Sequence, residues 1–63
     1  MKIKYIEING IPYWRGEDFD SVDIDFVDEN FSIWKIKFFD KSKVEIKTII
    51  TSYPVMIIYE KNN

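Results

Sequence analysis

Apolar and charged residues alternate with a period of two through Trp34-Lys35-Ile36-Lys37-Phe38, the centre of a longer run from Phe31 to Phe39. On an extended chain Trp34, Ile36 and Phe38 share one side, and Lys35 and Lys37 share the other. A helix fits poorly, because the apolar residues are β-branched or aromatic and recur at two rather than three or four. The absence of Ala and Leu, two leading helix formers, extends this conclusion to the whole chain. The run is predicted to be the central strand, with its neighbours taking their register from it.

On the N-terminal side, residues 2–8 read as a first strand, and Asn9-Gly10 as a two-residue type I′ turn. That turn pairs Ile8 with Ile11, Ile6 with Tyr13 and Tyr5 with Trp14. It places Ile6, Ile8, Ile11 and Tyr13 on one face, and Ile3, Tyr5 and Trp14 on the other. Pro12 has no N–H to donate, so the second strand is expected to be short or to lie at an edge. Arg15 to Ser21 reads as a loop, with Phe19 plugging the open end of the core.

Val22, Ile24 and Phe26 then alternate with Asp23 and Asp25. A three-residue turn at Asp28-Glu29-Asn30 pairs Val27 with Phe31, Ile24 with Trp34, Val22 with Ile36, and Asp23 with Lys35. A second such turn at Asp40–Ser42 aligns Phe38 with Val44, Ile36 with Ile46, and Lys37 with Glu45. It also leaves Lys35 opposite Lys47. A fifth strand is expected from Val44 to Ile50 and a sixth from Val55 to Glu60, followed by a frayed tail at Lys61-Asn62-Asn63.

Sixty-three residues make one domain, residues 1–63, with a small core. No cysteine is available for a disulfide, and with histidine also absent there is no zinc site of the usual kind. Stability must come from the aromatic residues, 17% of the chain, or from self-association. A flat sheet would leave an apolar face bare, so it must curl, fold into two layers or be covered by a partner. The expected fold is all-β, an antiparallel meander of six short strands. It is strongly bent or barrel-like, of SH3 or OB size, without substantial helix and without a motif of either family. No segment reads as a signal peptide or a membrane span, so a cytoplasmic location is expected.

The missing residue types also exclude function classes. Without histidine or cysteine the ordinary catalytic triads and dyads cannot be assembled, and no Ser-x-x-Lys occurs. Asp23 and Asp25 lie about 7 Å apart on one strand face, but a chain this short has no loops to enclose a substrate. Asp23, Asp25, Asp28 and Glu29 offer hard oxygens without an EF-hand loop's central glycine. The expectation is therefore a non-enzyme with no cofactor and no metal.

Interaction surfaces remain. Glu17, Asp18, Asp20, Asp23, Asp25, Asp28 and Glu29 form an acidic block, and lysines predominate after Phe31. Such a block steers toward a basic partner or imitates a nucleic-acid backbone, although alternating acids also make an ordinary solvated face. Tyr13, Trp14 and Arg15 are of the types enriched in interface hot spots. The candidate interface is Tyr13, Trp14, Arg15, Glu17, Asp18, Asp20, Asp28 and Glu29. Lys35, Lys37, Lys43 and Lys47, with Phe39, Tyr53 or Tyr59, could form a single-strand nucleic-acid face. A pI of about 4.9 argues against direct nucleic-acid binding. Abundant isoleucine, lysine and asparagine fit an AT-rich genome. The expected function is a small protein-binding module, such as a phage or mobile-element accessory or inhibitor protein. The alternatives are a self-associating virion or assembly component and a single-stranded nucleic-acid binder.

Overall fold

Six strands account for most of residues 2–61, which the computed structural model describes. They are β1 (Ile3–Ile8), β2 (Ile11–Trp14), β3 (Ser21–Asp28), β4 (Ile33–Phe39), β5 (Glu45–Thr51) and β6 (Val55–Tyr59). There is no helix among the described residues. Asn62 and Asn63 of the expected tail lie outside them.

The strands form two antiparallel sheets of three, ordered β2-β1-β6 and β3-β4-β5. The fold is all-β as expected, but it is not closed into a barrel. The bare-face problem is solved by two layers, with side chains from both sheets meeting between them. The meander is broken twice. Arg15–Asp20 carries the chain from the first sheet to the second, and Ser52–Pro54 carries it back, where β6 pairs with β1. Thr51 turns that second crossing, its Oγ1 accepting a 2.9 Å hydrogen bond from the Tyr53 N–H.

Asn9-Gly10 does what its composition predicts. Both residues have positive φ, 49° and 80°, and the pairs Ile8–Ile11, Ile6–Tyr13 and Tyr5–Trp14 are those of the two-residue turn. Ile3 is a correction. The ladder to β6 slips between Ile3 and Tyr5, and Ile3 turns inward against the core instead of sharing Tyr5's face.

The β3–β4 pairing differs from the expected one by two residues. Ile24 faces Ile36, Val22 faces Phe38, Phe26 faces Trp34, and Asp23 and Asp25 face Lys37 and Lys35. The connection is longer than three residues, because Phe31 and Ser32 belong to the turn, with Ser32 at φ 52°. A shift of two preserves the faces, so the apolar and charged sides stay as predicted.

The β4–β5 pairing differs in kind. The turn lies one residue later than expected: the Asp40 N–H donates to the Val44 carbonyl at 3.0 Å, and Lys43 takes the left-handed conformation at φ 64°. A slip between Phe38 and Phe39 then leaves Ile46 without an opposite, so that Phe39 faces Glu45 while Phe38 faces Lys47. Beyond it Ile36 faces Ile49 and Lys35 faces Ile50. The extra residue inverts the strand. Ile49 packs on the core, and Ile50, which regular alternation from Ile46 would turn inward, is 61% exposed. Lys35 no longer opposes Lys47, and Lys37 Nζ lies 3.9 Å from a Glu45 carboxylate oxygen.

Ile6, Ile8, Phe19, Ile36 and Phe38 form the buried centre. Phe19 is the plug expected of it. The Gly16 N–H donates to the Phe19 carbonyl at 2.7 Å, drawing the loop tight, and the ring lies 5.2 Å from that of Phe38. Tyr13 approaches Phe38 from the other sheet at 5.0 Å. Each such buried side chain contributes about 1.5–3 kcal/mol.

Candidate interaction surface

The eight candidate interface residues do not form one patch. Asp20 precedes β3 and Asp28 ends it, so the eight steps between them span about 26 Å. Glu17, Asp18 and Asp20 stand at one end of the molecule, and Asp28 and Glu29 at the other. The acidic block in the sequence becomes two clusters joined by an acidic strand edge.

Near Tyr13, Trp14 and Arg15 the side chains are already engaged. Tyr13 faces inward, packed on Phe38. Trp14 points to the outer face of the first sheet, its ring 4.5 Å from that of Tyr5. Arg15 pairs with Glu60. Asp18 Oδ2 accepts a 2.7 Å hydrogen bond from the Trp14 N–H. This corner serves structure first.

Tyr5 is buried beneath Trp14 on that outer face, and its hydroxyl donates a 2.7 Å hydrogen bond to Glu7. The bond raises the Tyr5 pKa above the ordinary 10.0, with desolvation and the Glu7 charge acting in the same direction. Met56 and Ile58 lie beside it, each nearly half exposed, so this outer face is largely apolar.

The opposite end carries a feature the sequence pattern concealed. At the β3–β4 tip Phe26 stacks on Trp34, with ring centroids 3.9 Å apart and planes inclined by 27°. Val27 is exposed, and Phe31, expected to start the central strand, is 71% exposed in the turn. Asp28 and Glu29 follow at the tip, Asp25 lies on the opposite face across from Lys35, and Asp28 Oδ1 accepts a 2.9 Å hydrogen bond from the Asn30 N–H. The available signal was an aromatic residue set within the turn-forming string Asp28-Glu29-Asn30-Phe31-Ser32.

The lysines do not assemble into the strip considered for nucleic acid. Lys35 and Lys37 lie half-buried on the outer face opposite Asp25 and Asp23. Lys43 sits in the β4–β5 turn. Lys47 points inward, with Nζ 5.3 Å from the centre of the Tyr13 ring. Among the described residues no three carboxylates converge as a metal site requires. No helix among the described residues is long and apolar enough to cross a membrane.

No protein-family model, no curated protein and no solved structure matches the chain.

Proposed function

We propose that the chain is a small non-catalytic protein-binding module that docks on a basic partner through the β3–β4 tip. The observation that carries this reading is the Phe26–Trp34 stack, whose Phe26 is exposed, with exposed Val27 and Phe31 at the same tip and Asp28 and Glu29 following them. A phenylalanine buries about 150–250 Å² in an interface. Covering Phe31, now 71% exposed, would contribute roughly 1–2 kcal/mol. The flanking carboxylates supply steering toward positive charge and discrimination against acidic partners. The AT-rich composition favours a phage or mobile-element accessory or inhibitor protein as the setting.

Affinity capture from a bacterial lysate tests the reading, using the wild-type chain, Phe31→Ser and Asp28→Lys as baits. Phe31 is exposed in the turn and Asp28 is the half-buried last residue of β3, and thermal melts should show both variants folded. Loss of the same captured proteins from both variants is the expected result. An unchanged set of captured proteins would refute docking at the tip.

A second reading, a self-associating assembly protein, is favoured by Trp14, Met56 and Ile58 on the outer face of the first sheet. Sedimentation velocity separates the two. A concentration-independent monomer removes self-association, and a dimer abolished by Ile58→Glu supports it.

A further inference from the structure

The two sheets leave a seam where β2 of one stands beside β5 of the other, without a ladder between them. A groove of about 440 Å³ runs along it, with Ile8, Ile11 and Tyr13 on one wall and Lys47–Thr51 and Tyr53 on the other. The two strand edges bordering it differ in what they can still bond.

The β2 edge has no free donor left. In a two-residue hairpin closed by Ile8 and Ile11, residues 12 and 14 turn their backbone groups away from β1. Pro12 has no N–H to offer there. The Trp14 N–H is bonded to Asp18 Oδ2 at 2.7 Å, and its carbonyl accepts from the Glu17 and Asp18 N–H groups at 3.2 and 2.8 Å. β5 pairs only with β4, so alternate residues along Lys47–Thr51 present free N–H and C=O groups to the groove. The far edge of the same sheet, β3, is guarded by exposed Asp23 and Asp25. The lone charge on the β5 stretch, Lys47, is folded onto the Tyr13 ring instead of screening the edge.

Charge identifies the occupant. No carboxylate lines the groove, and Lys47 makes no ion pair among the described residues. Around it the surface is apolar, with Ile11, Ile50 and Tyr53 all more than half exposed. One end is held by the Asn9 N–H, which donates to the Pro54 carbonyl at 3.4 Å.

We propose that this seam is a strand-acceptor site, in which an extended peptide adds to the free edge of β5. The peptide runs antiparallel to β5 and carries an acidic side chain opposite Lys47, with β-branched residues two and four positions before it that share its face and cover Ile11 and Ile49. Five residues opposite Lys47–Thr51 span about 15 Å, and the pairing extends the sheet to β3-β4-β5-peptide. Backbone hydrogen bonds supply the binding, and Lys47 supplies the preference. This site is separate from the β3–β4 tip and does not depend on it.

The test is an NMR titration of the ¹⁵N-labelled full chain with the blocked pentapeptide acetyl-Val-Thr-Val-Thr-Glu-amide, which run antiparallel to β5 sets Glu opposite Lys47 and its central Val opposite Ile49. Controls are the same peptide with Lys in place of Glu, and one N-methylated at alternate amides. The expected result is shifts and slowed amide exchange along Lys47–Thr51. The lysine peptide should bind about tenfold more weakly, a preference that Lys47→Glu reverses. N-methylation should abolish binding without any change to the protein. Three results would each overturn the proposal: no β5 response at millimolar peptide, equal binding of the N-methylated peptide, or a charge preference unaltered by Lys47→Glu. Concentration-dependent shifts at β5 without peptide would also overturn it, since a second copy would then be the occupant.

Discussion

The inverted face of β5 leads to a paired measurement at neighbouring isoleucines. Ile49 and Ile50 are adjacent, of one type and on one strand, so local propensity cancels between them. Threonine replaces each with little change in β-branching, which isolates burial. At Ile49, packed against the core, Ile49→Thr removes about 0.8 kcal/mol of methylene burial and places a hydroxyl among apolar neighbours, at a cost of about 1–3 kcal/mol. The sum is about 2 kcal/mol or more. At Ile50, 61% exposed, the same change should cost under about 0.5 kcal/mol. In a domain of this size 1 kcal/mol moves the melting temperature by about 4–8 °C, so Ile49→Thr should lower it by about 8–16 °C. Ile50→Thr should lower it by less than about 4 °C. Far-UV circular dichroism melts, checked by urea titration at constant m-value, read both. Equal losses would refute the bulge at Ile46. A larger loss at Ile50 would restore the face that simple alternation predicts.

The core, a turn and a buried phenol give three further outcomes. Phe38→Leu removes the ring contacts to Tyr13 and Phe19, each about 0.5–1.5 kcal/mol; a chemical-denaturation loss below 1 kcal/mol would contradict its central place. Asp40→Ala deletes the carboxylate oxygen that accepts from the Ser42 and Val44 N–H groups at 2.8 and 3.0 Å. It should cost about 1–2 kcal/mol in the same assay, and no change would mean that the turn holds itself. Tyr5, whose pKa is raised in the folded state, contributes stability that is complete below its unfolded value of 10.0 and is lost as pH rises beyond it. Stability measured upward through pH 10 should therefore fall less steeply for Tyr5→Phe than for wild type; parallel curves would exclude the Glu7 bond as the cause.

What could be read from the sequence depended on the range of the interaction. Asn9-Gly10 determines the first hairpin locally, and its register is as predicted. Alternation in β3 and β4 identified their faces, and the misplaced turn did no harm because the error was even. In β5 one unpaired residue, Ile46, made the error odd and reversed the strand. Nothing in the string Val44-Glu45-Ile46-Lys47 distinguishes a bulge from regular alternation. The β1–β6 pairing joins residues nearly the whole chain apart, so no local pattern encodes it. The candidate interface failed for a simpler reason. Acids close in sequence were read as close in space, and an extended strand holds Asp20 and Asp28 apart.

The sheet order β2-β1-β6 has a kinetic consequence. β3, β4 and β5 are joined by short turns and can pair as soon as they meet, within microseconds for each hairpin. β1 sits at the middle of its sheet, yet one of its two neighbours arrives only after some fifty intervening residues are in place. Closing a loop of that length costs about 3–4 kcal/mol before any β1–β6 contact forms. On the ribosome the β1–β2 hairpin must therefore wait with one edge unpaired while the other sheet assembles. The interval before β6 docks is when this chain is most open to pairing with the wrong strand.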